Sequence, residues 1–507
     1  MTTVSDAQQR PGILVQTFWL AVAKCVAALF NIGIPILLVR LLSQSEYGVF
    51  KQAFLFTGTA SNIAALGVSM SAFYFMPRHP EKGGEIALNI LIYNFVAGLV
   101  PLAILVWYRP ILKILFRTNE LDSMALLLGL LALITLSGSL IQVIPTAMQD
   151  VKASTVLIIG NQLVRSIMVA ATALIFRSIE SLIIVSIVHQ LMALAVLLWY
   201  LHRKFGNFWL RFDWRFFCEQ LVYAFPYGVL GLLWVIQKDL DNYFVSAKLG
   251  PTDYAIYAVG WLEVPLISLF LESIVSVLII RVSALQQLDR KEDIRRLIAA
   301  ASTRLAAFQF PIYALLLVTG HDLIVLMYTR RYEQSTTIFA FAITLFPLTV
   351  FLMDPIGRAY RELGRFALGV RIVVFAALFA VLSPVIDHFG MVGAAMVAVG
   401  AQVVERIVLM WKTARTVDAT RKDIKLSYDF FKIAGVAAAG GLCALAARNL
   451  LSPNLLVLRI LVAGVCFAAV YLPTFYALRL PGWDALSPER IKTFVQARLT
   501  RLKNASA

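Results

Sequence analysis

The chain has 507 residues, of which 60% are hydrophobic and 15% charged, and its mean hydropathy is +0.80. A soluble domain carries about 25% charged residues, so the composition excludes one and puts most of the chain in lipid. The formal net charge of +16 calls for anionic partners, either the inner-leaflet surface or an anionic substrate. With nearly all of the surface apolar, nucleic acid is not expected among them.

The N-terminal stretch MTTVSDAQQRPG is polar and carries no signal-peptide cleavage pattern. A membrane span needs about 20 apolar residues. Fourteen are predicted: 12–40, 48–76, 86–108, 124–148, 154–176 and 182–201 come first. A second set covers 221–247, 254–281, 297–319, 338–356, 366–386 and 391–410, and two more follow at 433–447 and 455–477.

The turn between the first two spans, LLVRLLSQSEYGVFKQAFLF from Leu37 to Phe56, returns later in the chain. Its echo is FVSAKLGPTDYAIYAVG from Phe244 to Gly260, with Leu42 on Leu249, Glu46 on Asp253 and Tyr47 on Tyr254. ILKILFRT, ending at Thr118, returns as LIVLMYT, ending at Thr329, while Gln190 and Trp199 return as Gln402 and Trp411. The offset drifts only from 207 to 212 residues. Six spans per copy is an even number, so both copies take the same orientation and form parallel repeats.

This divides the chain into a six-helix lobe at 1–203, a cytoplasmic linker at 204–220 and a second six-helix lobe at 221–413. Helices 13 and 14 occupy 414–480, and a basic tail covers 481–507. In the tail Ser487, Pro488 and Glu489 start a short helix. Ile491, Phe494, Val495, Leu499 and Leu502 then share one face, which suits the inner-leaflet surface or a cytoplasmic partner. With the N-terminus inside, cytoplasmic segments hold 27 Lys and Arg against nine outside, which puts both termini in the cytoplasm.

No catalytic motif or phosphate-binding loop appears, so the chain is not read as an enzyme. His79, His189, His202, His321 and His388 are dispersed without metal-ligand spacing. Cys25, Cys218, Cys443 and Cys466 are expected to be buried structural thiols. The unusual residues are cations within spans, each costing about 2.5–3.5 kcal/mol at the bilayer centre. Arg406, Lys432 and Arg459 lie near span ends, where they are expected to snorkel to the interface. Lys24 and Arg371 are intermediate in depth. Lys51, Arg165, Lys238 and Arg304 lie deeper, in four different spans, and imply either a water-filled cationic cavity or separate salt bridges.

Acids concentrate in the seventh and eighth spans, at Asp239, Asp241, Glu263 and Glu272. Lys238 and Asp241 share a helix face, whereas Asp239 and Asp241 point apart. Lys238 and Glu263 each lie 12 residues from the Gly250–Pro251 turn, roughly 18 Å along an α-helix. A hairpin would bring Lys238, Asp241 and Glu263 to one depth, as a lock between helices or as a device for ion coupling. Pro226 and Pro355 mark places where spans can bend.

The segments LVRLLSQSEYGVF and LGPTDYAIYAVG, with VKASTVLIIGNQLVR from Val151 to Arg165, resemble the polysaccharide-type, Wzx-like flippases. These belong to the multidrug/oligosaccharidyl-lipid/polysaccharide superfamily, and the resemblance covers nearly the whole chain, including the two C-terminal spans. It implies an all-α polytopic fold with two six-helix lobes around a central cavity lined mainly by spans one, two, seven and eight. It further implies alternating access in the bacterial inner membrane, carrying an undecaprenyl-pyrophosphate-linked glycan to the outer leaflet. Polysaccharide polymerase and other assembly proteins would be partners. By position Lys24, Lys51 and Lys238 would meet the pyrophosphate, with Arg165, Arg304 and Arg371 as further contributors. Tyr223, Tyr227, Asn242 and Tyr243 are candidates for the sugar, and Asp239, Asp241 and Glu263 for coupling to H⁺ or Na⁺. No other cofactor is expected. The competing readings are a lipid II flippase, an ion-coupled drug exporter of the same superfamily, and a membrane glycan polymerase or ligase. A drug cavity tends to be apolar with a few acids, and a polymerase needs a sizeable external loop where this sequence offers short ones.

Overall fold

A computed structural model describes residues 30, 32–210, 212–262, 265–419, 428–478 and 480, and their side chains except those of 227, 230, 265–270, 273 and 361. Among them every regular element is a helix, as the lipid phase demands of a chain that satisfies its backbone within each span.

Helix α1, Gln44–Ala65, starts in a capping box. The Glu46 amide donates to Ser43 Oγ at 3.2 Å, and the Ser43 amide donates to the Glu46 carboxylate at 2.8 Å. Leu66 and Gly67 then take positive φ, and the chain bends by 54° into Val68–Arg78, whose last part is α2, Ala72–Arg78. Helices α3 (Gly83–Trp107), α4 (Ala125–Gly138), α5 (Leu140–Ala147), α6 (Val151–Ile175) and α7 (Ile179–Phe205) follow. Helix α8, Trp214–Leu249, bends by 49° between Pro226 and Gly231, where the proline removes a backbone donor.

After Gly250, at φ 87°, α9 (Pro251–Gly260) opens with proline in its first turn, and α10 is Pro265–Gln287. The predicted eighth span is therefore broken between two helices. Helices α11 (Lys291–Tyr328), α12 (Ser335–Ile343) and α13 (Asp354–Ala359) come next. Pro355 begins α13 and does not kink a continuous helix, because the break precedes it. Helix α14, Arg361–Thr416, is interrupted at Gly390 (φ 58°, ψ −146°), where the predicted eleventh and twelfth spans meet. Helices α15 (Tyr428–Asn449) and α16 (Leu456–Ala477) end the described chain.

Among the described residues eight helices are long and apolar enough to cross a bilayer, or ten when each bent pair counts as one. Ile32–Leu41, Ile274–Gln287 and Ser335–Thr349 add shorter apolar helices. Among the described residues every span predicted from residue 48 onward falls mainly on helix, the second, eighth and tenth with breaks; the first lies mainly, and the tail wholly, outside the described residues. This is an all-α, multi-pass membrane protein.

Two compact units form, Met1–Leu269 with Ala377–Ala394, and Phe270–Ala376 with Ala395–Ala507. In the first, α1 packs on α4, α8 and α9, and the core joins Val49, Ala53 and Phe56 to Leu105, Leu128 and Ile183. The two repeated turns touch each other there. A β-carbon on Gly48 would overlap the Pro251 carbonyl, so glycine is what permits the contact. Tyr47 and Tyr254, equivalent in the repeat, are both buried, and Gln52 Nε2 donates to Ser246 Oγ at 2.7 Å.

In the second unit α15 and α16 pack on each other and on α11, through Phe310, Ile433, Ala437, Ala463 and Phe467. At Gly440 a β-carbon would sit 3.1 Å from the Phe467 ring, so glycine favours the close approach there. Apolar burial gives helices little reason to associate within lipid, so such small-residue contacts carry the packing. Three cysteines differ from expectation, Cys218 and Cys466 being half-buried and Cys443 exposed, while Cys25 lies outside the described residues. An apolar span in lipid has no need to turn a thiol inward.

Candidate functional site

Positions 51, 55, 58 and 62 of α1 fall on one helical face, and so do 234 and 238 of α8. Between the two helices lies a cavity of about 210 Å³, lined by Gly58, Thr59 and Asn62 from α1 and by Trp234, Lys238 and Asp239 from α8, with apolar neighbours. Asp239 Oδ2 accepts from Thr59 Oγ1 at 2.8 Å, which ties the two helices across the cleft. Lys238 is exposed, with Nζ 5.5 Å from the Trp234 ring centroid. Lys51, on the cavity face of α1 and one turn away, holds Nζ 5.8 Å from the Tyr47 ring. A cation, a carboxylate, a hydroxyl and an indole thus line one small space.

Asp241 turns the other way. It is 6% exposed and accepts from Tyr257 of α9 at 2.5 Å and from Asn242 at 3.5 Å. No lysine or arginine among the described residues forms an ion pair with it. Asp241 thus joins α8 to α9, and Lys238 lines the cleft beside Trp234. Lys24, Glu263 and the Tyr227 side chain lie outside what is described.

The remaining predicted residues are dispersed. Arg165 is half-buried on α6, and Arg304 is exposed on α11 of the second unit. Arg371 pairs with Glu405 at 3.1 Å, so its charge is answered within the protein. Tyr223 stacks on Tyr74, with centroids 4.2 Å apart, and Tyr243 packs on Phe116 at 5.6 Å. Neither tyrosine, nor Asn242, lines the cavity.

Sequence reasoning missed Trp234, Thr59 and Asn62, although helical spacing from Lys238 and Lys51 would have found them. It also missed a polar cluster in the second unit. There Asp322 is fully buried, with Arg448 Nε at 2.6 Å, Arg448 Nη2 at 3.0 Å and Arg459 Nη1 at 3.0 Å. His321 bridges Asp322 and Glu333 at 3.2 and 3.0 Å. Arg459, expected to snorkel, is 7% exposed, because a carboxylate from α11 lies within its reach. The partners are 126 and 137 residues apart, so no local spacing announces them. Arg406 donates to the Leu348 carbonyl at 3.3 Å, and Lys432 stays exposed beside Asp429.

Comparison with solved structures places the fold. A lipid II flippase, MurJ, in its inward closed conformation matches with a TM-score of 0.65 and 13% identity, over 92% of this chain and 99% of that one. An inward-facing multidrug-resistance MATE family transporter matches with a TM-score of 0.59 and 15% identity, over 79% of this chain and 99% of that one. A MOP superfamily transporter from Pyrococcus furiosus, reported for the reverse polarity of its binding pocket, matches at 0.53 and 16% identity, over 80% of this chain and 95% of that one. At such identities the likeness is one of fold. Among curated protein sequences no relative matches. The family model described as polysaccharide biosynthesis protein matches residues 13–286, more than half of the sequence. With that match over more than half of its length, the chain belongs to the polysaccharide biosynthesis protein family.

Proposed function

We propose that this protein flips undecaprenyl-pyrophosphate-linked oligosaccharide repeat units across the bacterial inner membrane by alternating access. The observation that carries the reading is Lys238, a lysine turned into a cleft within a membrane-spanning helix beside Trp234 and Asp239. A diphosphate cannot enter hydrocarbon without compensating charge, and a lysine lining a wet cleft supplies it. Lys51, on the same face one turn along α1, extends the positive lining; Lys24, Arg165, Arg304 and Arg371 are further candidates for the pyrophosphate, Arg371 with its charge shared by Glu405. Both termini lie in the cytoplasm, and the basic amphipathic C-terminal tail meets the inner leaflet.

Transport is coupled to H⁺ or Na⁺ through Asp239, Asp241 and Glu263. A carboxylate whose partners are neutral can be neutralised by a small cation without breaking an ion pair, and Asp241 with Tyr257 is of that kind. Loading and unloading of the cleft would then bias two charge arrangements of the α8–α9 hairpin.

Replacing Lys238 or Lys51 with Ala should reduce glycan export at least tenfold while protein level in the membrane stays near normal. Lys238→Arg should retain part of the activity, since charge survives but compactness does not. Normal export by both alanine variants would defeat the reading. A lipid II flippase is the second reading, favoured by one observation. The likeness to the lipid II flippase covers 92% of this chain, against 79% for the MATE transporter, so it extends beyond the twelve-helix part. Proteoliposomes offered each lipid in turn distinguish the two.

A further inference from the structure

We infer that the α1–α8 cleft is a subsite for the sugar attached directly to the pyrophosphate, with the Trp234 indole as its stacking platform. This deepens the flippase reading and rests on it. Trp234 is 49% exposed and lines the cavity. An indole presents an electron-rich face that attracts cations and the polarised C–H bonds of a pyranose alike. Lys238 Nζ lies 5.5 Å from the centroid of that ring, so the anion site and the ring platform adjoin.

The polar groups complete the pattern. Asp239 Oδ2 accepts one hydrogen bond, from Thr59 at 2.8 Å, which leaves its other oxygen as an acceptor for sugar hydroxyls. Asn62 Nδ2 donates to the Gly58 carbonyl at 2.9 Å on the wall opposite Trp234, and its amide oxygen adds another acceptor. At Gly58 a β-carbon would meet no atom within 4 Å, so the wall there is open. At about 210 Å³ the space is below the about 300–1,000 Å³ of drug-sized pockets, and it fits one ring, not a whole repeat unit. An ammonium, an aromatic face and a set of acceptors match the three parts of a glycosyl phosphate: its anion, its ring and its hydroxyls. A bare polyprenyl pyrophosphate would engage Lys238 and leave the rest idle.

The test compares two kinds of probe on the purified full-length protein in detergent. One is undecaprenyl pyrophosphate without sugar; the other is the same lipid carrying one glucose, galactose or N-acetylglucosamine. Wild type should bind at least one glycosylated probe more tightly than the bare lipid, by about two- to tenfold. Trp234→Ala should abolish that preference and keep bare-lipid binding, which also reports that the variant is folded. Trp234→Phe should keep part of the preference. Lys238→Ala should weaken both probes together. A preference that survives Trp234→Ala overturns the subsite while leaving the pyrophosphate reading intact, as does a wild type that prefers none of the three sugars. Failure of wild type to bind either kind of probe overturns the flippase reading and the subsite with it.

Discussion

Asp241 and Asp322 are both buried carboxylates on membrane-spanning helices, one in each compact unit, and their neighbours differ in kind. Asp322 meets two arginines from α15 and α16, so the two C-terminal helices are held to α11 by ion pairs centred on a fully buried carboxylate. Asp241 meets a tyrosine hydroxyl and an amide. The first arrangement is expensive to disturb, because losing the carboxylate strands a buried Arg459 and a half-buried Arg448. The second can change charge without stranding anything. Burial of an acid in a span is therefore no measure of its role; the charge of what faces it is.

The largest expected effect tests the locked side of the contrast. Asp322→Ala should destabilise the protein by about 3–5 kcal/mol, the usual cost of breaking a buried pair. Thermal unfolding in detergent and the amount of folded protein in membranes both read this out. A loss below about 1 kcal/mol would remove the contrast, since Asp322 would then behave as a surface acid.

An intermediate effect belongs to Asp150, which lies outside the spans at the start of α6. Burial pushes its carboxyl up, but the Ala153 amide, the Lys204 ammonium and the Tyr200 hydroxyl outweigh it and hold the group below the ordinary carboxylate range. The bonds measure 3.1, 3.1 and 3.0 Å respectively. A depressed carboxyl adds stability above its unfolded value, and the gain fades as pH falls through the folded one. Asp150→Ala should thus cost about 1 kcal/mol at pH 7 as a lost helix cap. The difference from wild type should shrink below about pH 4. A difference independent of pH would assign the cost to packing.

The smallest effect on stability falls on the labile side. Asp241→Asn keeps an acceptor for Tyr257 and should cost less than about 1 kcal/mol. In proteoliposomes, however, the variant should bind substrate yet lose the response of transport to an imposed proton or sodium gradient. An unchanged gradient response would make Asp241 a second structural lock and erase the distinction from Asp322.

Much of the architecture is legible in the sequence, because lipid imposes rules that act on single segments. A span must be apolar and helical along its own length, so hydropathy locates most of the helical segments between α1 and α16, though not their breaks. Ser43 with Glu46, and Gly250 with Pro251, likewise announce where α1 and α9 begin. The repeat is visible as a recurrence of sequence, but the contact of Gly48 with Pro251 is not, since a pattern does not say that its two copies touch.

The answer each polar side chain finds is a matter of tertiary structure. Arg459 could have snorkelled from its span end, and only the position of α11 puts Asp322 beside it. Lys238 and Asp241 share a face by spacing, yet Trp234 sits beside one and Tyr257 against the other, so they serve different places. Hydrophobicity belongs to a residue and its neighbours along the chain, which is why spans and their turns follow from the sequence. Charge compensation joins residues from different helices, sometimes more than a hundred positions apart, so it follows only from how those helices pack.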